Sequence, residues 1–183
     1  MTIQKQKQFD KKYLRMANIW SENSYAIRRQ VGCLIVKDGM IISDGYNGTP
    51  SGFENICEDV ECKSQYRYGC VKTASNTEIP NTELCNGCEY ASMTTKPYVL
   101  HAEANAITKL AKSSNSSDGA TIYVTLSPCI ECAKLIIQSG IKRVVYKDEY
   151  RITDGLELLR RAGVELVHIK NCDDKNDTEN KKN

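Results

Sequence analysis

The residues best suited to chemistry in this sequence stand in two short stretches. A His-Ala-Glu stretch begins at residue 101, and a Pro-Cys-Ile-Glu-Cys stretch begins at residue 128. One histidine and two cysteines can hold a zinc ion and leave its fourth position open for water. The metal ligands predicted from this spacing are His101, Cys129 and Cys132. Glu103 is the predicted general acid and base, because a carboxylate beside the histidine can move protons for that water without binding the metal.

Both stretches must lie at the start of a helix if their side chains are to meet. Residues two apart point about 200° away from each other within a helix, so His101 and Glu103 can share a site only at a first turn. Cys129 and Cys132 are three residues apart and lie on one face of a helix that Pro128 opens. The positive end of that helix dipole favours thiolates. Two helix starts at one end of a sheet would bring the ligands together.

Each of these residues also has a plain structural interpretation. A lone histidine can cap a helix, a Cys-x-x-Cys pair can be a redox motif or half of a structural zinc site, and a glutamate is common in a first helical turn. The only other histidine, His168, has no cysteine nearby in the sequence, and we interpret it as structural. The full combination, H-x-E followed by P-C-x-x-C, is the signature of zinc-dependent base deaminases and favours the catalytic interpretation.

Composition limits the classes of protein that the chain can belong to. Its 183 residues, 40% of them hydrophobic, suffice for one globular domain with a real core. Its 25 basic and 23 acidic residues give a net charge of +2, which does not predict a nucleic-acid partner. No signal peptide and no membrane-spanning run is recognisable. We therefore expect a soluble, cytoplasmic protein with no nucleic-acid or membrane partner.

The pattern around the two motifs predicts an α/β protein with a three-layer αβα fold. An amphipathic helix and a β-hairpin come first, and from Leu100 onward helices alternate with strands, which implies parallel strands and right-handed crossovers. The hairpin and the parallel strands together make a mixed five-stranded sheet. We assign residues 1–170 to a single domain and residues 171–183 to a disordered charged tail. The predicted elements are a helix over 9–22, strands over 31–37 and from 40, a helix after residue 101, a strand over 121–126, a helix over 129–139, a strand over 142–146, a helix over 154–162 and a strand over 164–169.

A polar, cysteine-rich segment at about residues 60–96 interrupts this pattern and looks inserted. We predict that four of the chain's nine cysteines bind a second, structural zinc there: Cys62, Cys70, Cys85 and Cys88. Cys85 and Cys88 have the spacing of a zinc knuckle, and four thiolates would leave no open position on the metal. A metal would also explain how so polar a segment becomes ordered. The alternative is a loop whose cysteines are reduced and unligated.

The sequence resembles the deoxycytidylate (dCMP) deaminases of the cytidine-deaminase-like superfamily. The resemblance extends over most of residues 10–169, and the inserted segment is its main departure. The H-x-E and P-C-x-x-C motifs identify only the superfamily, whereas the Gly-Tyr-Asn-Gly turn and the Cys-Ala-Lys continuation are typical of this family. The matching stretches are Gln30–Val36, Gly45–Pro50, His101–Ile107, Tyr123–Lys134 and Ile141–Tyr150.

This resemblance implies hydrolytic deamination of dCMP to dUMP and ammonia, which supplies dUMP for thymidylate synthesis. It implies that Asn47 contacts the nucleotide and that Tyr150 and Arg28 contact its phosphate. It further implies a homohexamer that dCTP activates and dTTP inhibits. The implied effector-binding residues are Gly45, Tyr46, Asn47 and Gly48.

Other functions remain open at this point. The same chemistry could act on free cytidine or deoxycytidine, or on an adenosine in tRNA, although the balanced charge disfavours tRNA. A non-enzymatic zinc-binding module is a third possibility. Glu103 argues against it, since a purely structural zinc site needs no carboxylate beside its histidine.

Overall fold

The computed structural model describes residues 2–62 and 91–172 of the chain. Over these residues it contains four helices and seven strands. The helices are α1 (Ile3–Ser21), α2 (Ala102–Leu110), α3 (Ile130–Gln138) and α4 (Asp154–Arg161). The strands are β1 (Gly32–Lys37), β2 (Met40–Tyr46), β3 (Glu58–Cys62), β4 (Ala91–Thr95), β5 (Thr121–Leu126), β6 (Arg143–Asp148) and β7 (Glu165–His168).

Five of the strands form one mixed sheet in the order β2-β1-β5-β6-β7. β1 pairs antiparallel with both β2 and β5, whereas β5, β6 and β7 are parallel. The β1–β2 turn places Asp38 and Gly39 at φ values of 50° and 78°, as the two-residue turns that follow strand twist require. The predicted five-stranded mixed sheet is confirmed, and β2 continues beyond the predicted turn start through Tyr46.

Helices cover both faces of this sheet. On one face α1 buries Leu14 and Ala17 against side chains of the central strands, among them Leu34 and Tyr123. On the opposite face α2, α3 and α4 enclose the larger core cluster, which includes Ala106, Ile136 and Leu159. The three-layer αβα arrangement is therefore confirmed. Because α2 and α3 lie side by side on one face, their first turns can meet at one edge of the sheet.

A buried ion pair holds α1 on its face of the sheet. The Asp10 carboxylate is 2% exposed and accepts hydrogen bonds of 2.8 and 2.7 Å from the Arg143 guanidinium. It also accepts a 2.8 Å hydrogen bond from the Tyr123 hydroxyl. Burial alone would raise the pKa of Asp10, but these hydrogen bonds outweigh it and lower that pKa. The charge is thus matched in the way a buried charge requires.

The cysteine-rich segment begins and ends in paired strands, which the sequence analysis did not predict. β3 and β4 form an antiparallel two-stranded sheet in which Glu58 faces Thr95 and Cys62 faces Ala91. The interpretation of residues 60–96 as an insertion therefore stays a prediction, with paired strands now placed at both ends of the segment. The second-zinc prediction stays a prediction, since it falls on Cys70, Cys85, Cys88 and the Cys62 side chain, all outside the described residues.

The end of the described chain packs against the α1 face. Cys172 is 4% exposed and belongs to the same core cluster as Leu14. The rest of the predicted charged tail, residues 173–183, lies outside the described residues. Across the described ranges, none of the helices has the length and apolar character needed to cross a membrane.

Candidate active site

Two helix N-caps converge at one edge of the sheet. His101 is the N-cap of α2 and Cys129 the N-cap of α3, and both have extended backbones with ψ of 156° and 173°. Neither side chain caps its own helix. Each is consequently free to point into the space between the helices. Cys132 lies one turn further along α3 and completes the group, as the i, i+3 spacing predicts.

The geometry of this group fits a zinc ion. The Nδ1 atom of His101 lies 3.4 Å from the Sγ atom of Cys129 and 3.4 Å from the Sγ atom of Cys132. Ordinary zinc–nitrogen and zinc–sulfur bonds at a tetrahedral angle place such atoms about 3.6 Å apart. All three ligand atoms lie within 4.8 Å of one another, and no other potential metal group of this kind occurs in residues 2–62 and 91–172. Three protein ligands would leave the fourth position open.

The thiols of Cys129 and Cys132 have pKa values that are shifted in opposite directions. A hydrogen bond from Cys132, aided by His101, lowers the pKa of Cys129 to about 3. The same bond, together with burial, raises the pKa of Cys132. One thiolate is therefore favoured before any cation enters, at the positive end of the α3 dipole.

Glu103 lies beside this group but is not part of it. The residue is 4% exposed and follows the N-cap of α2 by two positions. Burial raises the pKa of its carboxyl to about 7. A carboxyl group of that kind can both accept and donate a proton near neutral pH, which is what a general acid–base needs. It lines the same cavity as His101 and Cys129.

The Gly45–Gly48 segment fixes where α2 begins. A Cβ atom on Gly45 would overlap the backbone oxygen of Ala102, so only glycine allows β2 and the first turn of α2 to lie this close. Three residues further on, Gly48 and Leu100 exchange backbone hydrogen bonds of 3.1 and 2.9 Å. The residue before His101 is thereby tied to the end of β2. Composition alone had suggested only a turn at this position.

A cavity of about 350 Å³ opens over the site. It contains all three residues that the resemblance assigned to the substrate: Asn47, Tyr150 and Arg28. Two further arginines, Arg29 and Arg151, line it as well. Arg29 forms a 2.7 Å ion pair with Asp148, and both side chains are about half exposed. Three arginines therefore line the cavity together with Glu58 and Glu149, and a guanidinium group is well suited to bind an anion.

The Asn47 side chain braces the loop that carries the arginines. Its Oδ1 atom accepts a 2.7 Å hydrogen bond from the Val31 amide, and its Nδ2 atom donates a 2.9 Å hydrogen bond to the Arg29 carbonyl. The Nδ2 atom has two N–H groups and the bond to the Arg29 carbonyl uses one of them, so the second N–H can donate to a ligand in the cavity.

Several cavity residues were missed by the sequence analysis. Ser127 is 4% exposed, and its hydroxyl accepts a 2.7 Å hydrogen bond from the Tyr150 amide, which fixes the start of that loop. Glu58 and Thr95 come from the hairpin at the ends of the inserted segment. The position of Ser127 directly before Pro128 was a usable signal. Nothing in the local sequence marked Glu58 or Arg151.

A second cavity of about 350 Å³ lies on the other side of the Gly-Tyr-Asn-Gly turn. Tyr46 and Gly48 line this second cavity, whereas Asn47 lines the one over the metal group. The four residues that the resemblance assigned to effectors thus do not share one cavity, and Gly45 lines neither of the two. Phe53 and Lys109 contribute to the wall of the second cavity.

Fold and site together define a class, the zinc-dependent deaminases with a three-layer αβα domain. Residues 7–148 match the family model described as the cytidine and deoxycytidylate deaminase zinc-binding region. The chain belongs to this family.

Several relatives of the chain are named deoxycytidylate deaminases. The phage T4 enzyme is 36% identical over 172 residues, or 85% of this chain and 87% of that protein. The human enzyme is 36% identical over 145 residues, or 78% of this chain and 66% of that protein. Among solved structures, the dCMP deaminase of cyanophage S-TIM5 in complex with dCMP and dUMP aligns with a TM-score of 0.68 and 37% identity. That alignment covers 92% of this chain and 99% of the phage chain.

The close approach at Gly45 can be tested with one methyl group. Gly45→Ala should push the first turn of α2 off β2, cost about 1–3 kcal/mol of stability, and lower zinc content by displacing His101. Gly48→Ala is the matched control, because its added Cβ would make only ordinary contacts at 3.8 Å. Thermal unfolding and metal analysis of both variants check this. Full zinc and an unchanged Tm in Gly45→Ala would contradict it.

Proposed function

We propose that this protein hydrolyses dCMP to dUMP and ammonia, with His101, Cys129 and Cys132 holding zinc. One observation carries most of the weight. A three-member ligand group with the spacing of zinc ligands lies beside a buried, non-ligating carboxyl, Glu103, in a cavity that three arginines line. A structural zinc site has no use for the carboxyl, and a free-base enzyme has no use for the arginines. The named relatives support the same substrate.

A zinc ion held by His101, Cys129 and Cys132 would lower the pKa of a bound water molecule. Glu103 takes one proton from that water and passes it to the ring nitrogen beside the amino-bearing carbon. The water oxygen bonds to that carbon, and Glu103 then carries the second proton to the amino group, which leaves as ammonia. The carboxyl returns to its starting state after each cycle. Its burial keeps it from exchanging protons freely with bulk water.

The role of Glu103 predicts a separation of metal binding from turnover. Glu103→Gln should keep its zinc and lose roughly 10²-fold or more of kcat, because the amide cannot shuttle a proton. Glu131→Gln is the control, since this first-turn acid of α3 has a side chain that is 71% exposed and pairs with Lys134. Zinc analysis and ammonia release from dCMP provide the measurement. Normal turnover by Glu103→Gln, or its loss of zinc, would refute the assignment.

We propose further that Tyr150 and Arg28 select a substrate that carries a 5′-monophosphate. Zinc chemistry at the base cannot tell a nucleoside from a nucleotide, so a phosphate contact must do so. Free cytidine, deoxycytidine and tRNA adenosine are the competing substrates for this site.

Side-by-side assays test this selectivity. kcat/KM for dCMP should exceed that for deoxycytidine, and a tRNA substrate should release no ammonia. In Tyr150→Phe the preference for dCMP should shrink about tenfold, the usual effect of losing a hydrogen bond to a charged group. Tyr98→Phe, an exposed tyrosine outside this cavity, should leave the preference unchanged. Equal use of dCMP and deoxycytidine by the parent chain would favour the nucleoside alternative.

Regulation by dCTP and dTTP, in a homohexamer, belongs to the same proposal. Its support is the resemblance of the Gly-Tyr-Asn-Gly turn and the presence of a nucleotide-sized cavity behind it. Tyr46 and Gly48 would contact the effector directly, and Gly45 and Asn47 would transmit its presence to α2 and the substrate cavity. Lys109 is the basic side chain in the wall of that second cavity, where it pairs with Asp44 at 2.6 Å.

The proposed effector site predicts that regulation by dCTP and dTTP depends on the positive charge of Lys109. dCTP should raise, and dTTP lower, the rate at subsaturating dCMP. The ratio of rates with and without dCTP should fall towards one in Lys109→Met, because the triphosphate loses a cation. Lys112→Met, one turn away and outside the cavity, should keep the parent ratio. A parent chain indifferent to both triphosphates would end this part of the proposal.

A further inference from the structure

A buried carboxylate in the wall of the substrate cavity has no part in the chemistry derived above. Glu58 is the first residue of β3 and is 5% exposed. Its Oε2 atom accepts a 3.2 Å hydrogen bond from the Ile27 amide, and its Oε1 atom accepts a 3.3 Å hydrogen bond from the Arg28 amide. Within the described part of the chain, no basic side chain forms an ion pair with it. Both oxygens of this side chain are therefore held by backbone donors.

These two hydrogen bonds also constrain the backbone segment that donates them. The segment between α1 and β1 has no helix or strand to set its amide directions. A carboxylate that accepts from two successive amides fixes the peptide between them, and hydrogen bonds to a charged acceptor are the stronger kind. Glu58 therefore sets the direction in which the Arg28 side chain leaves the backbone.

The far end of Arg28 is held from the same hairpin. Its Nη1 atom donates a 3.1 Å hydrogen bond to the Thr95 hydroxyl. Thr95 on β4 is the register partner of Glu58 on β3. One pair of facing residues thus holds Arg28 at both its backbone and its guanidinium. Both members of the pair, and Arg28 itself, line the substrate cavity.

We propose that Glu58 is a positioning residue for Arg28, with Thr95 as its second anchor, and that this pair sets selectivity for a phosphorylated substrate. The inference rests on the proposed function, because it assumes that Arg28 meets the 5′-phosphate. Glu58 itself touches neither the phosphate nor the reacting carbon. Its carboxylate would repel a phosphate placed against it, and both of its oxygens already accept hydrogen bonds from backbone amides.

The relative loss of activity with dCMP and with deoxycytidine distinguishes the positioning role of Glu58 from two other roles. If Glu58 accepted a sugar hydroxyl directly, its loss would weaken dCMP and deoxycytidine alike, since both carry the same sugar. If Glu58 merely supported the fold, zinc content and the rate with either substrate would fall together. Positioning of Arg28 instead predicts a loss confined to the substrate that carries phosphate.

The test uses Glu58→Gln in the full chain. The glutamine keeps the shape but places an N–H donor against one of the two backbone donors. kcat/KM for dCMP should fall about tenfold, mostly through a higher KM, while kcat/KM for deoxycytidine and the zinc content stay within about twofold. Asp59→Asn is the matched control, because this neighbour on β3 has a side chain that is 65% exposed. The control should behave as the parent chain does.

Two further variants cover the other outcomes. In an Arg28→Met background, Glu58→Gln should cause little additional loss, because residues that act as one unit are not additive. If Glu58→Gln fails to fold, Thr95→Val decides the matter by a smaller loss, again confined to dCMP. Equal losses with both substrates, full additivity with Arg28→Met, or no selective loss in Thr95→Val would overturn the inference. A parent chain that does not prefer dCMP would instead refute the proposed function, so the two failures are distinguishable.

Discussion

The site depends first on how closely a helix can approach a strand. His101 can reach two sulfur atoms of another helix only because the first turn of α2 lies directly against β2, and Gly45 leaves room for the Ala102 carbonyl there. A side chain at that position would move the N-cap of α2 outward, and with it the nitrogen that must lie 3.4 Å from each sulfur. Gly155 gives α3 the same freedom, since a Cβ there would overlap the Pro128 carbonyl. Metal geometry at this site is thus a matter of backbone packing more than of the ligands themselves.

The placement of charge follows from that packing. Two helices start side by side, so two positive dipole ends face a single space. Within that space the hydrogen bond from Cys132, aided by His101, lowers the pKa of Cys129. The same closeness buries Glu103, and burial raises the pKa of its carboxyl towards neutrality. Both pKa shifts result from bringing these side chains together at two adjacent helix starts.

The sequence was informative where function depends on local chemistry and uninformative where it depends on distant contacts. His101 and Cys129 could be assigned from ligand type and from helix-start signals such as Pro128, all within a few residues. The parallel strands followed from regular helix–strand alternation. β4 escaped notice because Ala91–Thr95 has no apolar alternation and gains its pairing only from β3, some thirty residues earlier. The sequence pattern did not reveal Glu58 either, because its side chain contacts backbone amides about thirty positions away.

The hairpin of β3 and β4 has a practical meaning for anyone who treats the cysteine-rich segment as a removable module. The residues between the two strands look inserted in the sequence, but the strands themselves carry Glu58 and Thr95, which line the cavity over the metal group. A chimaera that exchanged the whole stretch between the main-sheet elements would carry away part of the binding surface. Splice points placed after Cys62 and before Ala91 would leave the paired strands intact. The choice of splice points, and not the sequence exchanged between them, would then decide whether the chimaera keeps Glu58 and Thr95 in the lining of its cavity.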